Sequence, residues 1–160
     1  TIYIIYSRKL ETKNRRLYDQ IQAGMRSQQK AGQALAAAPV ETLTREAELY
    51  RSLNKLMQEE RLFAQSEIDR KYLADRLGTN EKYLADAIRQ ESGGETVSAY
   101  IARLRLQYAL QLLEKHPELT LEAVATESGH ASYSPFYRAF GKMYGMSPSE
   151  YRRLSMKKEM

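Results

Sequence analysis

Apolar side chains recur every three or four residues in two stretches of the chain that are alike. In the first, Ala-Asp-Arg-Leu-Gly at positions 74–78 precedes a run with Leu84 and Ile88 on one helical face. In the second, Ala-Thr-Glu-Ser-Gly at positions 125–129 precedes a run with Phe136 and Phe140 at the same spacing. Residues four positions apart share one face of an α-helix, and glycine permits a tight turn. Each stretch therefore predicts a helix, a glycine turn and a second helix.

The same periodicity predicts helices along the rest of the chain, and no sustained alternation of β-branched residues indicates a sheet. We expect an all-α protein because each predicted helix has a suitable capping residue at its start. These capping residues are Thr42 or Thr44, Asp69, Thr79 or Asn80, Thr96, Thr120, Ser132 or Ser134, and Ser147. The predicted organisation is a helical or flexible segment, a first helix-turn-helix unit, a long linker helix and a second such unit, over residues 1–40, 41–94, 95–115 and 116–160.

Pro39 separates an N-terminal segment of different character from the rest of the chain. Residues 1–6 are apolar and aromatic, and Ser-Arg-Lys and a polar helical run to Ala38 follow them. Six residues cannot cross a bilayer, which takes about 20. Tyr beside clustered Arg and Lys is nevertheless typical of the cytoplasmic flank of a membrane helix. The segment is either the end of such a span or the start of a soluble linker, and because the chain begins with Thr we expect a fragment or a processed product.

Part of the N-terminal segment has the spacing of a coiled-coil seam. Its apolar residues Leu10, Leu17, Ile21 and Leu35 fall at heptad-like intervals. Polar residues or glycine, however, occupy the intervening core positions. This pattern leaves a homodimer through the N-terminal segment as one possible assembly.

Composition excludes several classes of site. The 160 residues include no Cys, which rules out disulfides, cysteine nucleophiles and zinc-thiolate sites. The two His, His116 and His130, lie far apart in sequence, and no phosphate-binding loop is present. The acidic pairs lack a partner base or a metal-ligand spacing. We therefore expect no enzyme activity, no cofactor and no metal.

The net charge of +5 is unevenly distributed along the chain. Residues 1–40 hold seven basic and two acidic side chains, whereas residues 41–160 hold eighteen of each. Bulk charge thus gives no support for nucleic-acid binding by the two units. From Ser128 onward, however, the sequence holds six basic and only two acidic residues, so the second unit has the more favourable electrostatic field for phosphates.

An ordered set of residues in the second unit carries a family resemblance. Residues 129–140 read Gly-x-x-Ser-x-Ser-x-Phe-Tyr-Arg-x-Phe, and residues 144–152 read Tyr-Gly-Met-Ser-Pro-Ser-Glu-Tyr-Arg. This resembles the C-terminal signature of AraC/XylS-type transcriptional regulators, and the match extends over about residues 45–155. One departure is His130, where the family usually has Phe. Its ring is expected to lie in the same groove with its polar edge in water.

The resemblance implies a seven-helix, two-lobed domain in which a long linker helix holds two recognition helices. It also implies that these helices read successive major grooves of double-stranded DNA, which lie about 34 Å apart on one face of the duplex. The sequences at 3–6, 48–53 and 77–84 resemble those of membrane-anchored AraC-type regulators of Bacteroidota. In that case the chain is the cytoplasmic end of a single-pass inner-membrane protein, with membrane contact only through residues 1–9.

In the first recognition helix, Leu84 and Ile88 must face the core, which leaves a polar outer arc. The candidate DNA-binding residues there are Asn80, Lys82, Ala85, Asp86 and Arg89. Lys82, Ala85 and Asp86 match the family's base-contacting positions. Lys82 can donate to guanine and Asp86 can accept from cytosine N4, but Asp86 and Glu81 also repel phosphates. The alternative is a solvated acidic face that reads little.

In the second recognition helix Phe136 and Phe140 are expected in the core. The outward candidates are Tyr133, Ser134, Tyr137, Arg138 and Lys142. Arg138 is the strongest, because Arg bidentate to guanine is the commonest specific contact. The alternative for Arg138 is a phosphate clamp, which positions the protein without reading sequence.

The sequence therefore predicts the DNA-binding output domain of a transcriptional regulator, with promoter DNA and RNA polymerase as partners. The alternative is a signalling or protein-interaction module that keeps the fold and has little affinity for DNA.

Overall fold

The computed structural model describes the backbone of residues 2–37 and 44–158 and the side chains of residues 10–33 and 44–157. Within these ranges every regular element is helical, which confirms the predicted all-α class. Eight α-helices and a 3₁₀ turn at Leu62–Ala64 follow in the order α1 Ile2–Ala37, α2 Arg45–Glu60, α3 Arg70–Arg76, α4 Glu81–Glu91, α5 Val97–Lys115, α6 Leu121–Glu127, α7 Tyr133–Tyr144 and α8 Pro148–Lys158.

Side-chain caps fix most of the predicted helix starts. The side chains of Thr44, Asp69, Asn80 and Thr120 accept hydrogen bonds from the third backbone N–H of α2, α3, α4 and α6. Such a cap satisfies a donor that the helix itself leaves unpaired. Ser132 occupies the N-cap position of α7 but makes no capping hydrogen bond through its side chain. Thr42, the other candidate for α2, and the boundary at Pro39 lie outside the described residues.

Residues 32–107 form one compact unit, which contains α2, α3 and α4. Its fully buried side chains include Leu53, Leu73, Leu84 and Ile88. Tyr100 at the start of α5 is also fully buried, and its hydroxyl donates to Oδ1 of Asn54 at 2.7 Å. Burial raises the pKa of Tyr100, so it stays a neutral donor.

Residues 1–31 and 108–160 form the other compact unit, which contains α6, α7 and α8. An aromatic cluster makes up much of its core. The ring of Phe140 lies 5.6 Å from that of Phe136 and 5.8 Å from that of Tyr151, both in edge-on geometry, and all three side chains are fully buried. Edge-to-face contacts of this kind add to the stability that apolar burial supplies.

The buried residues of α1 in this second unit are not members of the predicted apolar seam. Asn14 and Tyr18 are 5% and 6% exposed, whereas Leu10, a predicted seam residue, is 43% exposed. The ring of Tyr18 lies 5.0 Å from that of Tyr151. The seam concerns a second copy of the chain and stays a prediction, whereas the positions of α1 that are buried within its own unit are an amide and an aromatic residue.

Polar contacts complete the packing of α1. Nδ2 of Asn14 donates to Oε1 of Glu150 at 3.1 Å. Nε2 of Gln22 donates to Oε1 of Glu114 at 2.6 Å and to the Tyr151 hydroxyl at 2.7 Å, and that hydroxyl donates to Glu114. Each polar group in this network has a partner, which offsets the cost of removing it from water.

None of the helices in the described part of the chain is both long enough and apolar enough to span a bilayer. The side chains of residues 1–9, to which the predicted membrane contact belongs, lie outside the described ones.

Candidate nucleic-acid interface

The two glycine turns have the same backbone geometry. In the first, the amides of Gly78 and Thr79 donate to the carbonyl oxygens of Asp75 and Ala74 at 3.2 and 3.0 Å. In the second, residues 129 and 130 donate to residues 126 and 125 at 3.0 and 2.9 Å. Both glycines have positive φ, +65° and +87°, as this Schellman type of helix end requires. The repeat seen in the sequence is thus a repeat in structure.

Two fully buried residues hold each of the helices that follow the turns. They are Leu84 and Ile88 in α4, and Phe136 and Phe140 in α7, as the spacing predicts. Both pairs differ by 52 positions, so the outward faces of α4 and α7 can be compared position by position. Asp86 of α4 then corresponds to Arg138 of α7, and the two helices present opposite charges at one register.

The acidic side chains on α4 are paired locally. Oδ1 of Asp86 accepts from Nη1 of Arg89 at 3.1 Å, and Oε2 of Glu81 accepts from Nε of Arg70 at 2.6 Å. All four side chains are largely exposed, so these pairs contribute little to stability and exchange easily for a phosphate or a base. Arg70 is eleven positions from Glu81, and no sequence rule pairs residues at that distance.

The other candidates on α4 have different surroundings. Lys82 is exposed and has no ion pair among the described residues, which suits a donor to DNA. Ala85 is half-buried beside it. Asn80 is exposed, but its Oδ1 is used as the cap of α4 and accepts from the Tyr83 amide at 2.9 Å. The cap holds the side chain of Asn80 in place, and its amide nitrogen can donate to a ligand.

The outward face of α7 is cationic and aromatic. Ser134, Tyr137, Arg138 and Lys142 are exposed, and Tyr137 shows 47% of its surface. Neither Arg138 nor Lys142 has an ion pair within the described ranges, so both charges are open to a ligand. Tyr133 is half-buried, with its ring 5.8 Å from that of Tyr137. This places Tyr133 at the edge of the face rather than at its centre.

The ring of His130 packs where the sequence predicts, whereas Nδ1, part of the polar edge expected in water, is hydrogen-bonded to a buried hydroxyl. Its ring is half-buried, 5.1 Å from the ring of Phe136, and Nδ1 lies 3.0 Å from Oγ of the fully buried Ser128. The apolar side of the ring thus packs where an aromatic residue is usual, and its polar atom is hydrogen-bonded.

Sequence reasoning missed the basic residues that α1 brings to this unit. Arg15 and Arg16 lie beside Arg153 and Lys157 of α8. The buried pair Asn14 and Tyr18, four positions apart, is the only signal that could have placed α1 here, and an amide is a poor predictor of burial.

Comparison with known proteins matches residues 73–154, just over half of the chain, to a family described as a helix-turn-helix domain. The uncharacterized transcriptional regulatory protein YesN of Bacillus subtilis is 32% identical over 80 residues, which are 49% of this chain and 22% of that protein. The melibiose operon regulatory protein of Escherichia coli is 35% identical over 86 residues, which are 54% of this chain and 28% of that protein.

Among solved structures, the C-terminal domain of AraT, a response regulator from Geobacillus stearothermophilus, matches with a TM-score of 0.60. It is 29% identical, and the match covers 69% of this chain and 88% of that one. The chain spans about a quarter of the length of the two curated relatives.

Proposed function

Because the chain belongs to the helix-turn-helix family of AraC-type DNA-binding domains, we propose that α4 and α7 are the helices with which it reads double-stranded DNA. The observation that carries the proposal is the structural repeat. Two glycine turns with the same hydrogen-bond pattern each precede a helix that is held by two buried residues and leaves a polar face outward. A helix held in this way is the element that enters a major groove.

The side chains of the two faces take different parts in this proposal. Arg138 donates to O6 and N7 of a guanine, Lys82 donates to another, and Asp86 accepts from N4 of a cytosine. The remaining candidates position the helices on phosphates and sugars or pack against bases, namely Asn80, Ala85, Arg89, Tyr133, Ser134, Tyr137 and Lys142.

The length of α5 supports a bipartite DNA site. At 1.5 Å per residue its 19 residues span about 28 Å, close to the 34 Å repeat of a duplex. We infer an operator with two half-sites about one helical turn apart.

The names of two relatives support a proposal about the whole protein, because both are called regulatory proteins. We propose that the chain is the output domain of a transcriptional regulator that acts on RNA polymerase. We also propose dimers through the N-terminal segment, supported by its heptad-like apolar spacing and by the exposed Leu10, which the packing of α1 on α8 leaves uncovered. We further propose a membrane segment upstream of α1, supported by the apolar residues 2–6 and the basic residues Arg8 and Lys9. A full-length gene product with no apolar run of about 20 residues before Ile2 would contradict the membrane anchor.

Selection from a pool of random duplexes at several salt concentrations tests the proposed function. The expected result is salt-dependent binding and enrichment of a site with two halves one turn apart. A single enriched half-site would mean that α4 reads little. Binding without enrichment would leave a phosphate-gripping module, and no binding would favour the protein-interaction module, which the neutral charge of residues 41–160 makes the second candidate.

A further inference from the structure

Helices α1 and α8 line a groove that lies partly outside residues 73–154, the range that the helix-turn-helix family matches. Arg15 and Arg16 of α1 lie on one side of it, and Arg153 and Lys157 of α8 lie on the other. The groove has a volume of about 550 Å³, and the buried Leu154 forms part of its wall. Arg153 and Lys157 are four positions apart, which puts both on one face of α8. We call these four side chains with Glu11 the α1–α8 groove.

The charges in the α1–α8 groove are poorly balanced. Its single carboxylate, Glu11, approaches Arg153 at 3.8 Å, near the limit of an ion pair. Arg15, Arg16 and Lys157 are exposed and have no ion pair in the part of the chain that the structure describes. Four cations on two facing helices repel one another, and a bound anion would relieve that repulsion.

The charge of the two compact units shows what α1 adds. Residues 32–107 carry eleven basic and twelve acidic side chains, a net charge of −1. The unit of residues 1–31 and 108–160 carries fourteen basic and eight acidic side chains, a net charge of +6. Residues 1–31 contribute seven basic and two acidic side chains, or +5 of that +6. Residues of α1 therefore contribute most of the net positive charge of the unit that contains α7.

We propose that the α1–α8 groove binds phosphodiester groups of the DNA backbone, as an anchor outside the two recognition helices. The proposal rests on the proposed function. Without α1, residues 108–160 carry a net charge of only +1, whereas affinity for duplex DNA depends on cations that replace condensed counterions. The polar network of Asn14 and Gln22 fixes α1 on the unit, so the cations of α1 are held in place for this role.

A pair of charge-matched double variants of the full chain tests the groove. R15Q/R16Q removes two cations from it, and R26Q/K30Q removes two exposed cations from the same helix outside it. Binding to a random-sequence duplex is measured over a range of salt concentrations. We expect R15Q/R16Q to lower the slope of log K against log salt by about 1 to 2, because each phosphate contact contributes about 0.9. R26Q/K30Q should leave the slope unchanged.

The variant E11Q provides a test in the opposite direction. Removing the only carboxylate of the groove should tighten binding to the duplex at low salt. All of these side chains are exposed, and circular dichroism checks that each variant keeps its helix content.

The possible failures are distinguishable. Wild-type protein that binds no duplex contradicts the proposed function and this proposal together. Wild-type binding with equal slopes for both double variants, or weaker binding for E11Q, contradicts the groove alone. The last measurement is binding of the wild type and of R15Q/R16Q to phosphatidylcholine vesicles with and without phosphatidylserine. If R15Q/R16Q weakens only vesicle binding, the groove holds a lipid headgroup and the DNA proposal is overturned.

Discussion

Asp86 and Arg138 occupy the same register of two helices built on the same turn, and they carry opposite charges. In DNA recognition a carboxylate suits the N4 amino group of cytosine, and a guanidinium suits O6 and N7 of guanine. Asp86 is already hydrogen-bonded to Arg89, whereas Arg138 has no ion pair among the described side chains. We infer that Arg138 is freer than Asp86 to contact a base, because no neighbouring side chain of its own helix forms an ion pair with it in the described part of the chain.

Replacing Arg138 separates base reading from phosphate binding. We expect R138A to lose about 1–3 kcal/mol of discrimination at one base pair of the selected duplex. R138K should lose the same discrimination, because lysine keeps the charge but lacks the planar fork that makes two hydrogen bonds. Fluorescence anisotropy with the selected duplex and a singly substituted duplex measures this. If R138K discriminates as well as the wild type, Arg138 acts only as a phosphate clamp.

The outward or buried state of single residues on α4 and α7 could be predicted from sequence because helical periodicity decides it. Leu84 and Phe140 are fully buried, and Lys82 and Arg138 are exposed, as their spacing requires. Local pairing could not be predicted in the same way. The contact of Glu81 with Arg70 joins two helices across a turn, so it depends on tertiary geometry.

Among the elements, α1 differs most from its prediction. Its apolar spacing suggests a seam for a second copy, but it packs against α8 through Tyr18 and Asn14. Periodicity could not predict this, since it weighs apolar side chains and cannot tell a buried amide with a partner from a solvated one. The existence of the helix was predictable, but the surface it covers was not.

The packing of α1 predicts how two substitutions on it will differ. Y18A removes a side chain that is 6% exposed and packs on Tyr151, so it should lower the free energy of unfolding by about 3 kcal/mol. L10A changes a side chain that is 43% exposed and should cost less than about 0.5 kcal/mol. Urea denaturation followed by circular dichroism compares them.

Hydrogen exchange locates the effect of Y18A. Faster exchange should appear in α7 and α8, while α2 and α4, which belong to the other compact unit, stay protected. Equal stability of Y18A and L10A would show that α1 is not part of the folded unit.

On the scale of the whole molecule, the two units differ in charge although their turns are alike. The unit of residues 32–107 has a net charge of −1, and the unit that contains α7 has +6. Sequence alone located this surplus in residues 1–40 but could not assign it to a unit, because that depends on where α1 packs. We infer that phosphate binding is concentrated in the unit of α7, and that α4 depends more on matched hydrogen bonds.

Two charge-matched double variants test this asymmetry. R138Q/K142Q removes two cations from α7 that have no ion pair within the described residues. The slope of log K against log salt should fall by about 1 to 2, because Lys142 is proposed to contact a phosphate and Arg138 a guanine. K82Q/R89Q removes two cations from α4, one of which is paired with Asp86, and the slope should fall by less than 1. Binding to the selected duplex over a range of salt concentrations gives both slopes. Equal reductions would mean that α4 and α7 contact the phosphate backbone to the same extent, and the positive net charge of the unit that contains α7 would then have no counterpart in phosphate binding.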